Sequence, residues 1–355
     1  MNIKKIQAAD VEGKKVLLRV DFNSAIEEDT VKEKFKIQAA DETVRYLLAM
    51  NAKVALLSWL GRPGGKKDPK YSLSPIKDDV EYILGHKVKF VPDCVGEEVK
   101  KTVDALKEGE IALLENVRFY AEEGDVETGT AYDEEFAKKL AAGFDVFVND
   151  AFSVCHRDQA SVSGIAKFLP SYAGLNLQKE IEEMEKVKNN PEKPAIAIIG
   201  GAKIETKLPM IKFFESIYDN VLVGGKVANE ALEQNLKFGE KVLLPTDFVD
   251  DRMDIGTETL VKFKDIIEKA HTIVWNGPTG KFEEEKYAIS SNEILKSVLA
   301  SQAYVLVGGG ETLEILEKNN STAEIQKRGF VSTGGGAMLD YLGGQEMPGI
   351  DALKM

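Results

Sequence analysis

The sequence predicts a two-domain α/β protein in which each half is a parallel sheet flanked by helices. Three observations predict it. The chain has 355 residues, more than one hydrophobic core usually supports. Short β-branched and apolar runs alternate with stretches long enough for a helix, the pattern of a parallel sheet. Near the middle, Leu177, Ile181, Met184 and Val187 recur at spacings of four, three and three among Glu and Lys, which predicts one long connecting helix.

In the first half the predicted strands are Val16 to Val20, Val54 to Leu57, Val88 to Val91, Ile111 to Leu114 and Val146 to Val148. In the second half they are Ala195 to Ile199, Val221 to Val223, Val242 to Leu244, Thr272 to Trp275, Tyr304 to Val307 and Phe330-Val331. The connecting helix ends at Asn189-Asn190-Pro191, because proline disfavours helix in the residue before it. The expected division is therefore two Rossmann-like domains, 1–170 and 191–340, joined by a hinge helix over 171–190.

Composition narrows the function. Apolar residues make up 43% and charged residues 30%, an ordinary soluble balance. A formal net charge of -13 argues against a general nucleic-acid binder, which needs a broad cationic surface, but leaves a small anionic substrate open. The stretch 1–11 is polar, and no later run approaches a membrane span, so no membrane partner is expected. Cys94 and Cys155 are far apart and read as reduced residues of a cytoplasmic protein. With only His86, His156 and His271, a multi-histidine metal site is not expected.

In open parallel sheets ligands bind beyond the carboxyl ends of the strands, and there the halves differ. In the second half the runs end in glycine: Gly200-Gly201, Gly224-Gly225, Gly277-Pro278, Gly308-Gly309-Gly310 and Gly334-Gly335-Gly336. Glycine lets backbone N–H groups approach phosphate closely, and a following helix adds its positive end. Five such turns on one edge predict a nucleotide or polyphosphate platform. Lys203 and Lys207, four residues apart, are expected to face the same phosphates along one helix. No Walker A spacing, protein-kinase motif set or dinucleotide fingerprint is present. In the first half the strand ends carry charge: Asp21-Phe22-Asn23, Gly61-Arg62-Pro63, Asn116-Val117-Arg118, and Asn149-Asp150 with His156-Arg157. Three arginines on one edge predict a fork-shaped site for carboxylate and phosphate. An acid on one half and a nucleotide on the other implies phosphoryl transfer across a cleft.

At these residues a family becomes recognisable. Arg19-Val20-Asp21-Phe22-Asn23, Leu60-Gly61-Arg62-Pro63, the run Leu113 to Tyr120 and Asn149-Asp150-Ala151-Phe152 resemble the substrate side of phosphoglycerate kinases. Gly200-Gly201-Ala202-Lys203, Val274-Trp275-Asn276-Gly277-Pro278 and Ser332-Thr333-Gly334-Gly335-Gly336-Ala337 resemble the nucleotide side, in family order. The resemblance implies reversible phosphoryl transfer between ATP and the carboxylate of 3-phosphoglycerate, with Mg²⁺. It assigns Asp21, Asn23, Arg62, Arg118 and Arg157 to the acid. Lys203, Lys207, Asn276 and Glu283, the glycine turns Gly201-Ala202, Gly225 and Gly309-Gly310, and Glu311-Thr312 fall to the nucleotide, with Met253 against adenine. Lys207 and the amides around Gly335 and Gly336 would neutralise the moving phosphoryl. The resemblance further suggests a monomer acting only on small molecules, a tail over 341–355 folded back on the first domain, and domain closure during turnover.

The chain also departs from the family. Lys36 stands where the catalytic arginine belongs, keeping the charge without the planar fork. Glu311 replaces the aspartate placed for the metal, Trp59 a substrate-side histidine, and Thr206 an aspartate before Lys207. The stretch from Leu236 to Lys262 is shortened, beside Met253. These changes leave a second reading open: a relative that binds nucleotide without efficient transfer.

Overall fold

The computed structural model describes residues 2–27, 30–32, 34–125 and 128–355. Among them the chain forms two six-stranded parallel sheets, one in each of two compact units, Met1–Ile181 with Glu346–Met355 and Glu182–Gln345.

In the first unit the strands are β1 (Lys15–Arg19), β2 (Ile26–Glu27), β3 (Thr30–Val31), β4 (Lys53–Leu57), β5 (Val88–Val91), β6 (Ile111–Leu114), β7 (Val146–Asn149) and β8 (Ser171–Ala173). The sheet order is β5-β6-β4-β1-β7-β8, with β2 and β3 a separate antiparallel ribbon. The period of two is visible in the packing. Val16 and Leu18 join Val54 and Leu56 in one core, while Leu17 joins Ala55 and Leu57 in the core on the opposite face. Both faces are covered, which is why these strands read as unbroken apolar runs. Register then decides what emerges together. Arg19 lies opposite Leu57 on β4 and Asn149 on β7, so the segments after all three strands leave the sheet at one edge.

The helix Leu175–Asn189 starts where the chain leaves β8 and ends before Asn190-Pro191, as its apolar spacing predicts. Its first turn is satisfied by side chains: Thr43 Oγ1 accepts the Leu175 N–H at 2.9 Å and Asp150 Oδ1 the Leu177 N–H at 3.0 Å. Asp150, read in the sequence as a charged strand end, is thus turned inward as a helix cap and is 3% exposed.

The second unit contains β9 (Ala195–Ile199), β10 (Asn220–Val223), β11 (Val242–Leu243), β12 (Phe248–Val249), β13 (Asp254–Ile255), β14 (Thr272–Asn276), β15 (Tyr304–Val307) and β16 (Gly329–Val331). Their order is β11-β10-β9-β14-β15-β16, with β12 and β13 a short antiparallel hairpin. The chain winds outward from β9 in both directions, so the crevice beyond β9 and β14 is the switch point where such sheets bind ligands. Of the expected tail 341–355, Glu346–Met355 pack with the first unit, where Lys4 N–H donates to Leu353 O at 2.9 Å. Tyr341 stays in the second, its hydroxyl donating to Glu185 at 2.5 Å.

Candidate active site

The charged edge of the first unit is one connected network. Asn23, two residues beyond an Asp21 carboxylate that accepts its N–H at 2.9 Å, accepts the Gly61 N–H on its side-chain oxygen at 2.8 Å. Lys36, in the helix Lys34–Gln38, donates to the Asn23 carbonyl at 2.6 Å. The Gly61 carbonyl accepts Arg118 Nη1 at 2.9 Å. Arg118 in turn lies over Trp59, with its guanidinium carbon 3.8 Å from the ring centroid, and Arg157 lies 5.5 Å from the same ring. Arg62 and Arg118 line a cavity of about 220 Å³ that also reaches Gly64, Gly65, Glu123 and Asp125. The structure therefore brings together Asp21, Asn23, Lys36, Arg62, Arg118 and Arg157.

Local chemistry explains how. Asn116 opens the short helix Val117–Phe119, its Oδ1 accepting the Arg118 N–H at 3.0 Å. Its amide nitrogen donates to Leu60 O at 2.7 Å and Tyr71 O at 2.9 Å, which clamps the loop before Arg62 to the arginine segment. In the sequence Asn116 stands out only as part of the Asn116-Val117-Arg118 motif. An Asn just before a Val-Arg step is the capping signal that reveals its role. Beneath the edge, fully buried Arg19 donates to Ser161 Oγ at 2.9 Å, and Ser161 donates to the buried Glu123 at 2.6 Å.

Charge is concentrated here. Burial first, then the Arg157 and Arg19 cations, push Arg118 down to about 10, so it stays charged at neutral pH. Burial and then Arg157 push His156 down to about 4. It is therefore a neutral ring whose Nε2 accepts Arg157 Nε–H at 3.4 Å, an arrangement the sequence did not predict.

The glycine edge of the second unit is a backbone structure. Gly277, at φ +93°, lies so close to the next turn that an added Cβ would sit 2.3 Å from Gly200 backbone. Gly335 opens the helix Gly335–Leu342, and a Cβ there would meet Gly309 Cα at 2.5 Å. The turns thus interlock, and any side chain would pry them apart. Thr312 is wholly buried, and its hydroxyl accepts the Gly277 N–H at 2.7 Å, so it braces a turn from within.

Lys207 is buried in the helix Ile204–Ile217 and its ammonium donates to Asn276 Oδ1, while Asn276 Nδ2 donates to Gly308 O at 2.8 Å. Burial pushes Lys207 down to about 8, with Glu311 pulling the other way. Burial likewise raises the Glu311 carboxyl, against the pull of Lys207. The expectation of a shared helical face for the two lysines is corrected. Lys203 precedes the helix in left-handed backbone at φ +67° and is exposed, because the chain turns sharply after Gly201-Ala202. Gly201, Ala202, Gly225, Met253, Glu283 and Glu311 line a cavity of about 410 Å³. Asn229, Arg252 and Phe282 also line it, and the sequence alone did not single them out. Met253 keeps its place beside the shortened stretch because Lys281 N–H donates to its carbonyl at 2.8 Å.

Comparison with known proteins agrees with this geometry. The family model described as phosphoglycerate kinase matches residues 6–252 and 244–345, two segments that meet inside the shortened stretch. A phosphoglycerate kinase of Borreliella burgdorferi (strain B31) is 36% identical over 401 aligned positions that span 100% of both chains. One of Aquifex aeolicus is 39% identical over 97% of this chain and 96% of its own length. The crystal structure of phosphoglycerate kinase from Pyrococcus horikoshii superposes with a TM-score of 0.82 at 30% identity, over 99% of this chain and 98% of that one. The Coxiella burnetii enzyme gives 0.80 over 99% and 98% at the same identity. An alignment of 401 positions against 355 residues leaves gaps in this chain, as the shortening requires. Since the match runs through both units and through both the charged and the glycine edge, the chain belongs to the phosphoglycerate kinase family.

Proposed function

We propose that this chain catalyses reversible phosphoryl transfer between ATP and the carboxylate of 3-phosphoglycerate, giving ADP and 1,3-bisphosphoglycerate, the reaction of its family in glycolysis. The observation that carries the reading is full-length agreement with relatives named for that activity. Arg62, Arg118 and Arg157 take the acid's phosphate, while Asp21 and Asn23 orient its hydroxyl and carboxylate end. Lys36 sits beside Asn23 and faces the transferring group from the acid side. On the other unit the Gly201, Gly225 and Gly309-Gly310 turns, with Ala202 and Lys203, cradle the polyphosphate. Met253 packs on adenine, Glu283 contacts the sugar and Asn276 holds Lys207 in line. Thr312 acts by bracing Gly277.

Little covalent work falls to such a protein, since positioning and charge stabilisation carry phosphoryl transfer. Lys207 and the amides of Gly335 and Gly336 neutralise the equatorial oxygens. Among the described residues no three His, Cys, Asp or Glu side chains gather around one metal position. One carboxylate beside nucleotide phosphates is nonetheless a donor set Mg²⁺ accepts, and Glu311 supplies it. The ion would arrive with ATP and offset phosphate charge. Turnover then calls for closure of the two units on their substrates.

No helix among the described residues is long and apolar enough to cross a membrane. The setting we infer is a cytoplasmic monomer acting on small molecules. The test is a coupled assay with ATP, Mg²⁺ and 3-phosphoglycerate, in which a dehydrogenase consumes NADH as 1,3-bisphosphoglycerate forms. NADH loss that needs all three components supports the reading, and a rate equal to that of boiled protein refutes it. Nothing in the structure favours a relative without transfer.

A further inference from the structure

Trp59 has a role that none of its relatives' names describes. Its ring is 9% exposed and packs in the core with Val91, Val117 and Val154. Two guanidiniums face that ring, Arg118 at 3.8 Å and Arg157 at 5.5 Å from it. The indole N–H is buried and has no hydrogen-bond partner. A hydrogen bond therefore does not set the ring's orientation; core packing and the two cations do.

We propose that Trp59 is a positioning and specificity-determining residue of the acid site, whose ring holds Arg118 and Arg157 as a pre-aligned pair for the substrate's phosphate. The inference rests on the kinase reading above. Two guanidiniums this close repel each other, and that repulsion is one of the forces that push Arg118 down. The electron-rich face of the indole offsets it, most strongly where water is excluded. Arg118 is tied back to Gly61 O through one nitrogen and so presents further N–H donors to a ligand, while Arg157 is anchored beside it by His156 Nε2. A dianionic phosphate arriving there meets donors already in place, and the ordering cost of the two long side chains has been met in advance. An acid without a phosphate gains much less from a paired cation site, so the same stacking selects for the phosphorylated acid.

The test measures binding rather than turnover. By calorimetry, Trp59→Leu should weaken 3-phosphoglycerate about tenfold, the scale of one desolvated cation–π contact, and should narrow its margin over unphosphorylated glycerate. ATP affinity should stay within about twofold of wild type, and Trp59→Phe, which keeps an aromatic face, should recover most of the loss. In wild-type protein, Trp59 emission should change saturably as 3-phosphoglycerate is added. Trp275, buried in the other unit with its N–H on Gly277 O at 2.9 Å, contributes a constant background. Wild-type affinity in Trp59→Leu, an equal loss in Trp59→Phe, or emission unmoved by bound acid would each overturn the proposal. Wild-type protein that binds no 3-phosphoglycerate at all would instead sink the kinase reading and this one with it.

Discussion

Replacing Lys207 with methionine should make the protein more stable and nearly inactive. The Lys207 side chain is 9% exposed, and its ammonium rests on Asn276 Oδ1. Burial holds its pKa near 8 against a usual 10.5. A depression of that size is on the order of 3 kcal/mol against the charged form. Below pH 8 the group is charged in both folded and unfolded chains, so the fold bears that cost in full. Between about 8 and 10.5 the unfolded chain holds the proton more tightly, and stability rises with pH. Methionine removes the cost but strands the Asn276 oxygen, worth about 1 kcal/mol. The net expectation at pH 7 is a gain of about 2 kcal/mol that fades toward pH 10. Thermal unfolding of both proteins at pH 7 and pH 10 measures it. The coupled assay should show kcat lower by about 10² to 10³, the scale for one donor lost from a developing charge. For the wild type, kcat/KM for ATP should fall as pH rises through about 8, because the free site then loses its ammonium. A variant less stable than wild type at pH 7, or one that keeps a tenth of wild-type kcat, would refute the reasoning.

Three further outcomes are expected. Lys36→Arg restores a planar fork beside Asn23 and should raise kcat at least about threefold without moving the KM for ATP; an unchanged or lower kcat counts against Lys36 as the acid-side catalytic cation. Glu311→Gln should raise the Mg²⁺ needed for half-maximal rate by about tenfold, and an unshifted Mg²⁺ titration would remove Glu311 from the metal's surroundings. Burial pushes Asp150 up to about 7 despite its bonds to Thr43 and Leu177, so the folded chain holds this proton up to a higher pH than the unfolded one. Its contribution to stability is therefore greatest at acid pH and falls as pH rises from about 4 to about 7. Asp150→Asn should abolish that fall and be the more stable protein at pH 8 by about 2–4 kcal/mol; parallel stability profiles for the two proteins would contradict it.

Much of this fold was legible because a parallel sheet covered on both faces must be built from unbroken apolar runs. Val146 to Val148 and Ala195 to Ile199 declare themselves for that reason. Ser171–Ala173 does not, since an edge strand of three residues with a serine and a tyrosine carries no periodic signal. The two short hairpins escape for the same reason. At the sites, glycines and arginines after strands could be read directly, because each is a residue type the chemistry demands. Position relative to a helix start could not. Lys203 and Lys207 have perfect helical spacing, yet the helix opens at Ile204 and leaves Lys203 outside. Burial direction was equally hidden: Asp150 and Thr312 sit among charged and polar site residues in sequence and turn inward in the fold.

Under the proposed function, the shortened stretch falls in the part of the nucleotide site that tolerates loss. The phosphate end of the second unit is made of interlocked backbone, where Gly277 leaves no room for a Cβ against Gly200 and Gly335 none against Gly309. Any change of chain length there would displace several turns at once. The base end is different in kind. After the loss, the chain between β11 and the helix Thr257–Glu268 is closed by the β12–β13 hairpin, with Asp250 and Arg252 in left-handed backbone at its tip. Buried Asp254 fixes that hairpin by accepting the Ser290 N–H at 3.1 Å and the Ile255 N–H at 2.9 Å. One further bond, Lys281 N–H to Met253 O, then brings a flexible apolar side chain to the cavity wall. A flat base needs only an apolar surface of about the right height, which a two-residue ribbon supplies as well as a longer loop. The departures in this chain therefore fall where the physical demand is loose, at the base wall, or where charge survives the exchange, at Lys36 and Glu311. Two departures stand outside that pattern: Thr206 gives up an aspartate's charge and donates its hydroxyl to Lys203 O at 2.9 Å, and at Trp59 a new ring has become the surface on which the acid site's own cations are arranged.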